Sequence, residues 1–109
     1  MAALLGLARR AGKLAAGDQM AREAVQRRRA AVVVVATDAG QSTKDRFQRL
    51  CGQSKVQCLQ YGTKAELGNA VGQTEKAVVA VTDQHFAKGI RAALGNGALA
   101  SEPNTSGVD

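Results

Sequence analysis

Residues 31–40 read AVVVVATDAG. Ala31–Ala36 is short and dominated by β-branched valine, which predicts a strand rather than a helix. A strand with one wet face alternates apolar and polar residues. An unbroken apolar run is the pattern of a strand covered on both faces, as in a sheet with helices on either side. Thr37–Gln41 then reads as a loop. This stretch places the chain in the α/β class.

Towards the C-terminus, Ser42 with Asp45 resembles a capping box and opens a helix with Phe47, Leu50 and Cys51 on its inner face. Val56–Leu59 reads as a short strand. Thr63 and Glu66 form a second capping box, before Leu67, Ala70 and Val71, and Gly72 ends that helix. Ala77–Val81 is another β-branched strand. Thr82 or Asp83 caps a last helix with Phe86, Ile90, Ala93 and Leu94 inward.

Towards the N-terminus, Leu4, Leu7, Ala8 and Ala11 share one helical stripe, with Arg9 and Arg10 off it. Gly12 and Lys13 break that helix, and Leu14–Ala16 is a short strand or an extended link. Gly17 or Asp18 caps a helix with Met20, Ala21, Ala24 and Val25 inward. Glu23 and Arg27 stand four apart in the favourable order, a gain of ~0.3 kcal/mol. Helices alternating with short strands predict helices on both faces of a mostly buried sheet. Loops Thr37–Gln41 and Thr82–Gln84 are expected along one sheet edge, where open α/β sheets bind ligands. After Leu94 the chain turns small and polar and holds its only proline. The expectation is one domain, residues 1–94, and a flexible tail, residues 95–109.

Lysine and arginine number 15 against 9 acidic residues, a net charge of +6. That excess favours a polyanionic partner, nucleic acid above all. Aromatics are scarce (Phe47, Tyr61 and Phe86), which argues against a base-stacking platform for single strands. No run approaches the ~18–20 apolar residues of a membrane span. The start, MAALLGLARRAGKLAA, is free of acids, but its positive charge follows the apolar run, the reverse of a secretory signal. It is read as the first helix, and a cytoplasmic location is expected. Cys51 and Cys58 form neither a CxxC pair nor a disulfide framework, and are read as small buried hydrophobes.

Catalysis has little to work with. His85 is the only histidine, and no feature brings a cysteine to it. Two cysteines and one distant histidine do not make a zinc site. No Walker or dinucleotide loop is present. Asp38, after the valine run, lacks acidic partners and is better placed to form a turn. No catalytic residue, metal or cofactor is therefore expected. Among the basic residues, Lys13 with the free N–H groups around Gly17–Gln19 offers a point charge and oriented donors to a phosphate. Gln19 adds an amide able to read a base edge.

LLGLARRAGKLAAG, AVVVVATDAG, YGTKAELGNAVG and VVAVTDQHFAKGI, in this order and spacing over residues 3–94, resemble the ribosomal-protein superfamily that binds kink-turn RNA. Its members include the archaeal seven-Ae protein, the eukaryotic large-subunit thirty protein and small bacterial proteins of the YlxQ type, the last being most similar. The resemblance implies a three-layer α/β/α sandwich around a small four-stranded mixed sheet. It also implies an RNA site at the start of the second helix and neighbouring loops. Carried over, the family glycine is Gly17, the amide position Gln19, the acidic or Gln position Met20 and the terminal lysine position Glu23. Lys13 matches a basic position before the glycine, and Gln73–Lys76 the loop that packs on flipped-out bases. Met20 cannot accept hydrogen bonds from a guanine edge, and Glu23 repels phosphate. The expected RNA set is Lys13, Gly17, Asp18, Gln19, Arg22, Asp38, Lys44, Thr74 and Lys76. RNA is the expected partner, ribosomal proteins a second, and a monomer the expected state. The alternative is a protein-interaction module that has lost its RNA site and contacts ribosomal or transcription and translation factors. A continuous positive patch around Lys13, Gly17 and Lys76 distinguishes the first reading.

Overall fold

The valine run sits at the centre of the molecule. In the computed structural model, which describes residues 2–94, Val32–Val35 forms a strand whose four side chains are all buried. Each contributes about 2 kcal/mol relative to an exposed position. The expected tail, residues 95–109, lies outside the described residues. The elements in chain order are α1 (Ala2–Arg10), β1 (Leu14–Ala16), α2 (Asp18–Gln26), β2 (Val32–Val35), α3 (Gln41–Ser54), β3 (Gln57–Gln60), α4 (Lys64–Ala70), β4 (Val78–Val81) and α5 (Gln84–Leu94). The sheet order is β1-β4-β2-β3, with β2 and β3 parallel and the other two pairs antiparallel. The two inner strands, β2 and β4, are buried throughout, which is why both read as unbroken apolar runs.

Helices α2 and α3 pack on one face of the sheet, and α1, α4 and α5 on the other. The result is the expected three-layer α/β/α sandwich with a mixed four-stranded sheet. Its largest fully buried side chains include Leu5, Phe47, Leu59, Leu67 and Ile90, and no polar or charged residue among those described is buried. Cys51 and Cys58 are both buried and reduced, facing one another between α3 and β3.

Several local expectations shift. Leu5, rather than Leu7, joins Ala8 on the buried stripe of α1, leaving Leu7 exposed. On α2, Met20 is 56% exposed while Ala21, Ala24 and Val25 are buried. Ala93 of α5 is exposed, and Ala87 takes its place beside Ile90. In each case the buried stripe is narrower than the run of apolar residues that suggested it. Helix α3 starts at Gln41 after Gly40, and Asp45 accepts from the Gln41 amide, so Ser42 makes no capping box. The Thr63–Glu66 box forms with both its bonds.

The main correction concerns direction. Strands β1, β2 and β3 run the same way and β4 runs against them, pairing Val32 with Val81 and Val35 with Val78. Loop Thr37–Gln41 leaves the forward end of β2, whereas Thr82–Gln84 leaves β4 at the opposite end of the sheet. The two loops therefore do not share an edge. Helices α2, α3 and α4 all start at the forward end, and α5 starts at the rear.

Candidate nucleic-acid interface

The forward end is held together by backbone. Gly17 donates its N–H to the Val78 carbonyl at 2.9 Å, tying the start of α2 to the start of β4. Thr37 N–H and Oγ1 both donate to the Gly62 carbonyl, at 2.7 and 2.8 Å. Asp38 Oδ1 accepts from the Lys64 N–H at 2.8 Å, joining the β2–α3 turn to the head of α4. Lys76 N–H donates to the Lys64 carbonyl at 3.0 Å. The loop before β4 lies flat on α4 because Gly68 lets it: a Cβ there would stand 2.3 Å from the Thr74 carbonyl oxygen.

The start of α2 is the open feature of this end. Gly17 caps the helix at φ 99° and ψ 161°, a conformation almost confined to glycine, and supplies no side-chain acceptor. The first turn of a nine-residue helix thus keeps donors that no side chain caps. The Lys76 ammonium lies 3.6 Å from where a Cβ on Gly17 would stand, so a cation flanks those donors. Gln19 and Met20 are exposed on the same turn. Asp18, the one acid in it, turns its carboxylate aside to Arg22, at 3.5 Å, and to Arg46 of α3. The (i, i+4) pair formed on α2 is therefore Asp18–Arg22. Lys44 reaches back to the Thr37 carbonyl at 2.7 Å.

The strand order and the placement of the helices have counterparts among known proteins. The sequence from residue 1 to residue 90 fits the ribosomal protein L7Ae/L30e/S12e/Gadd45 family. The chain belongs to that family. Within it, the chain is 37% identical over 84 residues to RNA-binding protein YlxQ of Bacillus subtilis, covering 77% of this chain and 84% of that one. RNA-binding protein YlxQ of Enterococcus faecium is 34% identical over 85 residues, covering 78% and 82%. The chain is thus a YlxQ-like member of the L7Ae superfamily. A Bacillus halodurans protein of unknown function superposes with a TM-score of 0.82 at 33% identity, covering 85% of this chain and 94% of that one. The Giardia lamblia 15.5 kD RNA-binding protein shares the fold at 19% identity, with a TM-score of 0.73 and coverage of 85% and 82%.

Seen on this family fold, the residues expected at the site divide. Gly17, Asp18, Gln19 and Lys76 come together, with Asp38 and Lys44 on the adjoining turn. Arg22 lies one turn into α2 and points back to Asp18, and Thr74 is exposed on the loop beside Gly68. Lys13 is elsewhere: its carbonyl accepts from Thr82, and its charge acts on Asp83, both at the rear end. Strand β1 separates it from Gly17. Lys13 and the Gly17–Lys76 pair therefore stand at opposite ends of β1. Arg46 is the functional candidate that the motif reading missed, because its link to Asp18 spans 28 residues and leaves no local pattern.

The rear end carries Asp83, whose Oδ1 accepts from His85 and Phe86 N–H at 2.8 and 3.2 Å. These bonds, that from Phe86 first, hold its carboxyl below the usual aspartate range. His85 is 98% exposed, and both cysteines are buried between α3 and β3, so no Cys–His pair assembles. Among the described residues no three His, Cys, Asp or Glu side chains group as metal ligands, and no helix is long and apolar enough to cross a membrane.

Proposed function

We propose that the chain is a non-catalytic, cytoplasmic RNA-binding protein that docks structured RNA, kink-turn-like RNA included, at the start of α2. The observation that carries this is the open α2 start: a Gly17 cap without a side-chain acceptor, beside the Lys76 ammonium. Phosphate is the anion that backbone donors at a helix start and a point charge recognise together. Gln19 presents its amide to a base edge, and Met20 offers a flexible apolar contact to a base or sugar where a hydrogen-bonding residue is typical. Asp38 and Lys44 act mainly by holding the β2–α3 turn beside this surface. Thr74 and Lys76 supply the other wall. The two YlxQ relatives, each an RNA-binding protein, support the same reading. The chain acts as a monomer in this scheme, and ribosomal proteins are secondary partners.

The test is a filter-binding titration at ~100 mM salt with a kink-turn hairpin and a control hairpin lacking the kink. Lys76→Glu is expected to weaken binding by about tenfold or more, the loss of one charge-assisted contact. Lys13→Glu, at the rear end, is expected to change it by less than about threefold. Equal losses would disprove an interface confined to the forward end. Wild-type affinity in Lys76→Glu would remove the proposed docking point.

A further inference from the structure

Helices α2 and α3 leave a groove of about 220 Å³ between them, lined by Arg22, Gln26, Arg46, Arg49, Leu50 and Gln53. Three arginines thus line one groove, two of them paired with Asp18 at its mouth, and no acidic residue is among the lining. One nearby acid offsets part of this charge and the others do not face the groove. Asp18 sits at the forward mouth, bound to Arg22 and Arg46. Asp45, one turn before Arg49, accepts from Gln41. Glu23 lies on the other side of α2, lining with Met20 and Arg27 a separate groove against β1. Arg49 is exposed and makes no ion pair among the described residues. Arg22 Nε is shielded from solvent and lies 3.5 Å from the Asp18 carboxylate, an ion pair without a formed hydrogen bond, while the rest of its side chain is half-exposed.

We infer that this groove is a second phosphate site, which grips the backbone of an RNA strand running on from the α2 start. The inference rests on the RNA reading above and extends it to residues outside the loops of the forward end. Its mouth is shared with that end, because Arg22 and Arg46 both hold Asp18, the first residue of α2. From Asp18 to Gln26 the helix advances about 12 Å. A strand leaving Gly17 along α2 therefore passes Arg22, Arg46 and Arg49 in turn. Guanidinium forks suit phosphodiester oxygens, and Gln26 and Gln53 add neutral donors. Leu50 is the only apolar lining residue, which favours a phosphate backbone over an apolar peptide.

The experiment uses the full chain and two probes: a minimal kink-turn hairpin, and the same hairpin with its stems lengthened by about ten base pairs. Affinity is measured against salt for wild type, Arg49→Ala and Lys76→Glu, with circular dichroism confirming the fold of each. Lys76→Glu is expected to weaken both probes. Arg49→Ala is expected to weaken only the long probe, by about fivefold, and to lower its salt slope by about one. Wild-type behaviour of Arg49→Ala on the long probe, with Lys76→Glu still impaired, would overturn the groove while leaving the α2 site standing. Equal weakening on both probes would also overturn it, since Arg49 would then act within the first site. Absence of wild-type binding to either probe would sink the RNA reading and the groove together. Displacement of the long probe by poly-glutamate as readily as by unlabelled RNA would make the groove an acidic-peptide site instead.

Discussion

The two ends of the sheet make an instructive pair. Each has a basic residue beside a helix start: Lys76 at α2, Lys13 near α5. At the rear, the α5 start already holds its anion, because the Asp83 carboxylate accepts from two of its N–H groups. At the front, Gly17 supplies no acceptor and Asp18 is drawn off by two arginines. A helix start capped by its own carboxylate has fewer free donors and already holds a negative charge, and both disfavour a phosphate. The uncapped start is the one able to receive a ligand. Net charge points to a polyanion, and the state of the caps is the ground for the proposed docking point.

The severest way to break the contrast is through Gly68. A Cβ there meets the Thr74 carbonyl carbon and oxygen at 2.6 and 2.3 Å, and a backbone cannot swing aside like a side chain. Gly68→Ala is expected to cost about 3 kcal/mol in urea unfolding, at the upper end for overpacking. It is also expected to push the loop off α4, take Lys76 away from Gly17, and so lower RNA affinity. Gly40→Ala is the control. Gly40 lies at the same end with φ −60° and open space around it, so its substitution should cost no more than about 1 kcal/mol, the preference for glycine over alanine at an N-cap. Equal losses in the two variants would show that the loop does not depend on the close approach at Gly68.

Much of this was legible in the sequence, and the exceptions share a cause. Val32–Val35 announced a doubly covered strand because β-branched residues without polar alternation have few other homes. Thr63 and Glu66 announced a helix start because the box is local, three residues apart. The direction of β4 was not legible: a run such as Val78–Val81 looks the same from either end. That one sign moved the Thr82 loop away from Gly17, whereas Lys13 is parted from it by the length of β1 alone. Arg46 escaped for a similar reason, since its bond to Asp18 is made by packing α3 on α2. Met20 and Leu7 were misplaced because periodicity marks a helix face only to within a residue or so.

A smaller effect separates α4 from α2 within the same end. Thr63 Oγ1 accepts from Glu66 N–H at 3.1 Å, Glu66 Oε1 accepts from Thr63 N–H at 2.8 Å, and Asp38 takes the Lys64 N–H. This start is closed by side chains, unlike that of α2. Thr63→Ala is therefore expected to lower stability by about 1 kcal/mol. RNA affinity should hold within about twofold, since no ligand donor is lost. A tenfold loss of affinity in a folded Thr63→Ala protein would mean that the forward interface reaches α4.

The smallest effect is at the rear cap, and pH reveals it. Hydrogen bonds from Phe86 and His85, and the charges of His85 and Lys13, hold the Asp83 carboxyl below the ordinary aspartate range. A group whose folded pKa lies below its unfolded one binds fewer protons in the folded state. Its contribution is therefore present above the unfolded value, near 3.9, and is lost as pH falls through the folded one. Asp83→Asn keeps an oxygen able to accept from the same N–H groups but cannot titrate. The variant is expected to match wild type closely at pH 7. As pH falls below about 4 its stability should fall less steeply, as read from urea midpoints. Parallel acid limbs for the two proteins would show that the carboxylate of Asp83 gains nothing from the α5 start. The rear end would then be as open as the front, and the contrast that assigns the RNA to α2 would lose its basis.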